Sequence, residues 1–270
     1  MMQRQRFDFQ AAGRRLHAEY LQPSPKRLGP TLVFLHEGLG SIAQWKTFPI
    51  RLCNACGFPG LVYERWGFGN AEPLSGLRQP DYLHQEAQIL PEVLERCGVN
   101  KPPVLIGHSD GGSIALLFAA AYPDRVRAVI TEAAHVFVED VTLAGIRAAK
   151  AMYRATDLRD RLARYHGDKV DSTFRGWCDT WLRPDFRDWN IVAELPSIVC
   201  PVLVMQGKED EYGTPAQVKA IAANVSGSVE TRLIPGCGHV PHLQAAELVL
   251  RDMERFIMHI THSPTLEPIP

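Results

Sequence analysis

The stretch Gly107-His108-Ser109-Asp110-Gly111 constrains this chain more than any other. An apolar run, Pro103-Val104-Leu105-Ile106, precedes it, and a small-residue helical pattern from Gly112 to Ala121 follows. That order spells a strand, a sharp turn and a helix, with a serine at the apex. The flanking glycines suit a turn so tight that a side chain would strike the turn itself or the neighbouring strand. The helix that follows aims its N-terminus at any negative charge forming beside the serine. A Gly-x-Ser-x-Gly pattern alone arises by chance in roughly one chain in ten of this length. What decides its meaning is whether a base and an acid follow at suitable places.

Composition leaves room for such a site. The 270 residues are 46% hydrophobic and 22% charged with a net charge of −1, ordinary for a globular chain with a sizeable core. No basic patch argues for nucleic acid, and no run approaches the ~18 apolar residues of a membrane span. The first residues, Met1 to Arg6, lack the apolar region of a signal peptide, so a cytoplasmic protein is expected. Six cysteines fit that reading as reduced thiols. Cys53 and Cys56 have metal or redox spacing but no second pair, so they read as packed thiols on a helix, with no metal and no cofactor implied.

Segments of 2.0 and 3.6 periodicity alternate along the chain. Arg6 to Gln10 and Leu16 to Leu21 flank Ala12-Gly13 as a hairpin. Strands are expected at Thr31–Leu35, Gly60–Tyr63, Val104–Ile106, Val126–Thr131, Pro201–Met205 and Glu230–Ile234. Helices are expected at Trp45–Cys56, Tyr82–Cys97, Ser113–Tyr122, Pro215–Val225 and Ala245–Ile260, and the proline-bearing tail from Ser263 is expected to be loose. From about Val136 to Glu194 the alternation stops in favour of helical character. The fold class is therefore α/β: a mostly parallel central sheet with helices on both faces, built from residues 1–135 and 195–270, with 136–194 inserted as a helical cap over the strands' carboxyl ends.

A serine hydroxyl needs a base to take its proton. His239, in Gly236-Cys237-Gly238-His239-Val240-Pro241 directly after the last strand, is the best candidate. The base in turn needs a carboxylate to fix its tautomer. Asp210, just past the Val202–Met205 strand, is preferred on strand position; Glu209, Glu211 and the more distant Glu132 are rivals.

The order Ser109, Asp210, His239 resembles the α/β-hydrolase fold superfamily, and the resemblance runs from the His36 loop to the Cys237 loop. It implies a cofactor-independent hydrolase acting on a small molecule, with an oxyanion hole built from the backbone N–H groups of Asp110 and Gly38. His36 then braces its loop. Two departures stand out: His36-Glu37-Gly38 places a carboxylate at Glu37 where the family usually has glycine, and Glu64-Arg65-Trp66-Gly67 replaces the usual Asp-x-Arg-Gly. A serine at the elbow points to acyl transfer.

The insertion should choose the substrate. It holds ten Lys/Arg and ten Asp/Glu, so its net charge favours no anion. Trp177 and Trp181, with Glu37, are candidate pocket residues; Trp189, Phe174 and Phe186 serve equally well as packing. The leading expectation is a carboxylesterase for a small or medium ester. The alternatives are a carbon–carbon bond hydrolase of aromatic meta-cleavage products, which needs a basic side chain for the substrate carboxylate, and a non-catalytic ligand-binding member of the fold. Oligomeric state is not encoded in any readable pattern.

Overall fold

A computed structural model describes residues 2–262; the tail expected to be loose lies outside them. The chain opens with β1 (Gln3–Ala11) and β2 (Arg14–Gln22), joined at Ala12 and Gly13, whose φ values of 49° and 71° are the left-handed pair a two-residue hairpin turn requires. There follow β3 (Leu32–Leu35), α1 (Phe48–Cys56), β4 (Gly60–Glu64), α2 (Tyr82–Arg96), β5 (Val104–His108), α3 (Asp110–Ala121) and β6 (Ala128–Glu132). Between β6 and β7 come α4 (Asp140–Ala155), α5 (Leu158–His166) and α6 (Val170–Trp181). The chain then returns through β7 (Val202–Gly207), α7 (Pro215–Asn224), β8 (Val229–Ile234), a single turn α8 (Pro241–Gln244) and α9 (Ala246–His262).

The eight strands form one sheet in the order β1-β2-β4-β3-β5-β6-β7-β8, antiparallel at β1–β2 and β2–β4 and parallel from β4 onward. Side chains alternate across it. Val33, Leu35, Leu105, Val129 and Val204 pack toward α2, α3 and the insertion, whereas Leu32, Phe34, Ile106, Ile130 and Met205 pack toward α1 and α9. Burying each such side chain contributes about 1.5–3 kcal/mol, so both faces are needed to hold the central strands. α3 is buried on every side from Asp110 to Ala119. β5 and α3 thus lie in the middle of the molecule, and the serine between them has a rigid base.

The expected helix from Trp45 is divided. Ile42–Trp45 form a 3₁₀ turn, Lys46 turns left-handed at φ 54°, and α1 starts only at Phe48. Pro49 explains the late start: within the first helical turn its missing N–H costs nothing, and further in it would break the ladder. Cys53 and Cys56 are buried in α1; burial pushes both thiols up, Cys56 to about 12.

Candidate active site

Ser109 has φ 52° and ψ −119°, a conformation that costs on the order of 1–3 kcal/mol for a residue with a side chain. Its surroundings hold it there. The Ser109 amide donates to the Glu132 carbonyl at 2.8 Å, and the amides of Gly112 and Ser113 donate to its own carbonyl. A Cβ on Gly107 would stand 2.2 Å from the Gly111 carbonyl oxygen, and one on Gly111 would stand 2.0 Å from the Leu35 oxygen. The two glycines are therefore required for the reasons their spacing suggested: one spares the turn, the other the adjacent strand.

The loops after β7 and β8 meet over this elbow. A Cβ on Gly207 would lie 2.1 Å from the Cys237 carbonyl oxygen, so the loops approach closely only because that position is glycine. The contact sets Asp210 beside His239. His239 Nδ1 lies 2.8 Å from Asp210 Oδ1, and its Nε2 lies 3.0 Å from Ser109 Oγ. Asp210 Oδ1 also accepts from the Tyr212 amide at 2.9 Å. Burial opposes charge on Asp210, but the bonds from His239 and the Tyr212 amide outweigh it and hold the carboxyl below its ordinary range.

The rival carboxylates are engaged elsewhere. Glu209 accepts from the Cys237 amide at 3.0 Å, and Glu211 accepts from the His239 amide at 3.2 Å. Glu132 Oε2 pairs with the amide and the ring Nδ1 of His242, both at 2.9 Å.

On the other side of Ser109 stands the loop after β3. His36 Nδ1 donates to the Glu37 carbonyl, while its Nε2 accepts from the Arg65 amide. The fully buried Arg65 guanidinium donates to the carbonyls of His36 and Glu37 at 3.1 and 2.8 Å. Arg65 thus holds the loop's backbone in shape. Among the described residues the amides of Gly38 and Asp110 have no paired acceptor. The Asp110 side chain accepts from Tyr82 Oη at 2.6 Å, and Trp181 Nε1 donates to the same Tyr82 oxygen at 2.9 Å. That chain links the insertion to the elbow.

Glu37 does not stand free. Its Oε2 lies 2.5 Å from Nδ1 of His108, whose Nε2 lies 2.7 Å from the His239 carbonyl oxygen. Burial alone would depress the His108 ring, yet the Glu37 carboxylate overrides it and raises it to about 9. Burial would raise Glu37, and His108 instead draws it down to about 2. His108 and His135 escaped sequence reasoning. His135 is buried against Trp181, with Nε2 3.0 Å from the Tyr212 carbonyl, and burial lowers its ring. The position of His108 inside the elbow motif was the only available signal for either.

A cavity of about 220 Å³ opens onto Ser109, lined by Glu37, Gly38, Asp110, Trp177, Trp181 and Tyr212 among others, so all three candidate pocket residues reach it. Phe174 instead stacks on Tyr153, and Phe186 on Trp189. Trp177 packs over Gly38, with its ring 2.1 Å from where a Cβ would be. A larger groove of about 1390 Å³ runs across the amino ends of the parallel strands, away from Ser109, and touches none of these residues. Among the described residues no group of three or more His, Cys, Asp or Glu is arranged to hold a metal ion, and no helix is long and apolar enough to cross a membrane.

Residues 32–251 match the Alpha/beta hydrolase family, and the chain belongs to it. The proteins it is similar to carry names of several activities. A human serine hydrolase, BPHL, is 27% identical over 206 residues, covering 74% of this chain and 69% of its own. Among solved structures, the 2-hydroxy-6-oxo-6-phenylhexa-2,4-dienoate hydrolase of Rhodococcus sp. strain RHA1 superposes with a TM-score of 0.79 at 15% identity, over 96% of this chain and 99% of that one. A thermophilic esterase from Thermogutta terrifontis gives 0.70 at 20% identity, over 95% and 99%. At those identities the two structures establish the shared fold.

Proposed function

We propose that this hydrolase is a serine carboxylesterase for a small, uncharged ester. The observation that carries the reading is His239, whose ring bridges Asp210 at 2.8 Å and Ser109 Oγ at 3.0 Å. Ser109 Oγ attacks the ester carbonyl as its proton passes to His239 Nε2. Asp210 holds the ring and stabilises the imidazolium. The amides of Gly38 and Asp110 receive the developing oxyanion, each contributing about 10²–10³ in rate. His239 then returns its proton to the leaving alcohol, and water activated by the same ring releases the acid from Ser109.

The lining supports the choice of substrate. It carries Glu37, Asp110 and Glu211 and no lysine or arginine. The carbon–carbon hydrolase alternative needs a cation free to hold its substrate's carboxylate, and the His108 ring in the lining is taken up by Glu37, so the lining disfavours it. The 220 Å³ volume, below the several hundred cubic ångströms of a drug-sized site, supports a short acyl group under a cap formed by residues 136–194. Six unpaired cysteines suit a reducing compartment and support a cytoplasmic place of action.

Intact-mass analysis after a fluorophosphonate probe tests the mechanism. The wild type should gain one adduct, and Ser109→Ala and His239→Ala should gain none. Hydrolysis of p-nitrophenyl acetate should fall by on the order of 10⁶ in kcat for Ser109→Ala with the fold retained. A folded wild type that neither labels nor hydrolyses short esters favours the ligand-binding alternative, and unchanged hydrolysis by Ser109→Ala sinks the mechanism.

A further inference from the structure

His108 is a buried ring whose two nitrogens both face acceptors. Its side chain is 1% exposed, with Glu37 Oε2 at 2.5 Å from Nδ1 and the His239 carbonyl oxygen at 2.7 Å from Nε2. A carbonyl has no proton to give, and neither has an ionised carboxylate. A neutral imidazole carries one N–H and satisfies one of the two. The doubly protonated ring satisfies both, and in a buried site an unmade bond is costly. The three residues involved are also neighbours of the proposed chemistry. Glu37 precedes the Gly38 amide, His108 precedes Ser109, and the carbonyl belongs to His239 itself.

We propose that Glu37 and His108 are positioning residues: together they clamp the oxyanion loop to the backbone of the base across the elbow, and the clamp is closed only while His108 keeps both ring protons. Other charges face the pair from every side. Glu132 at the end of β6 and Glu37 favour the charged ring, while His239 and His242, whose rings lie 5.2 and 5.1 Å away, complete its surroundings. Glu37 also acts electrostatically on His166 of α5 and on Tyr212. Trp45, 6.3 Å from the His108 ring, adds no charge. His108 is raised above its ordinary value, so the doubly protonated state holds through neutral pH and is lost as pH rises through about 9.

Glu37→Gln separates this role from mere packing. A glutamine amide donates to Nδ1 while a neutral His108 keeps its proton on Nε2, so both contacts survive without the charge. The profile of kcat/KM for a short ester is measured from about pH 6 to about pH 10.5, within the range where circular dichroism shows the fold intact and after correction for spontaneous hydrolysis. The wild type should lose about fivefold or more above pH ~9, and Glu37→Gln, normalised to its own value near neutrality, should lose that limb. A wild type with no alkaline limb, or the same limb in Glu37→Gln, overturns the proposal. This arm rests on the esterase reading. A second arm does not: ¹⁵N spectra of the wild-type histidine rings, with His108 identified by loss of its signals in His108→Asn or by their shift in Glu37→Gln. Both His108 nitrogens should be protonated at neutral pH. A neutral ring there overturns the clamp, whereas a charged ring in a protein that leaves esters untouched overturns only the esterase reading.

Discussion

Two histidine–carboxylate pairs flank Ser109, and they differ in what the second ring nitrogen meets. In His239–Asp210 the far nitrogen faces a hydroxyl, which can surrender a proton. In His108–Glu37 it faces a backbone carbonyl, which can only accept one. Both rings are nearly buried and both carboxylates lie within 2.8 Å. The carboxylate partner therefore does not distinguish a base from a brace; the group opposite does. Glu132 and His242 form a third pair nearby, in which one carboxylate oxygen takes both the ring and the amide of His242.

The sharpest way to break this comparison is to neutralise one carboxylate at a time. Asp210→Asn leaves the shape but favours the wrong tautomer of His239, and kcat should fall by about 10⁴. Glu132→Gln should cost less than about tenfold in kcat, because an amide oxygen still accepts from the His242 amide and the bonds of the carboxylate go to His242 rather than to Ser109 or His239. Steady-state rates on one short ester check both. Comparable losses would mean that the two pairs act as one catalytic unit.

Stability gives the second test, with a smaller expected effect. The folded His108 ring is raised to about 9, so its contribution is fully present below the ordinary histidine range and lost as pH rises through about 9. Glu37 is drawn down to about 2, so its contribution is present above the ordinary carboxylate range and lost only as pH falls toward that value. The stability gap between the wild type and Glu37→Gln should thus be greatest in mildly acidic solution, on the order of 2–3 kcal/mol, and should narrow above pH ~9. Urea unfolding at several pH values measures it. A gap that widens at alkaline pH has the wrong sign for a charged His108.

These pairs also mark how far the amino-acid sequence could be read. Ser109 and Asp210 each follow a strand with a recognisable apolar run, His239 follows the mixed strand β8, and their chain order carried the fold with it. The alternation of β3 to β7 with helices was readable for the same reason: each of those strands is a short, fully buried block, whereas β8 buries only Ile234 and was read from its place between helix patterns. His108–Glu37 was not readable, because 71 positions separate the partners and nothing local says that the elbow's variable residue turns toward the β3 loop. The work of Arg65 was not readable either, because it is done by a guanidinium on carbonyl groups, which leave no trace in residue type. The division of the Trp45 helix depends on a left-handed backbone at Lys46, a residue with no special liking for it.

Helix α6 is where the smallest and most local effects are expected, and its two pocket tryptophans repeat the same lesson in apolar form. Both line the cavity, yet Trp181 donates through Nε1 to Tyr82, which donates in turn to Asp110 beside Ser109. Trp177 instead lies over Gly38 and fills space. Trp181→Phe keeps most of the ring but drops the bond to Tyr82, so it should lower kcat on every ester alike, by a few-fold, as the Asp110 amide loses its support. Trp177→Ala should leave the shortest ester little changed and raise the preference for a longer acyl chain by about tenfold, the scale of one or two methylenes finding room. The ratio of kcat/KM for p-nitrophenyl hexanoate to that for the acetate reads this directly. A ratio that shifts equally in both variants would place the two rings in one wall with one job, and the distinction between a side chain that shapes the pocket and one that supports the elbow would fail.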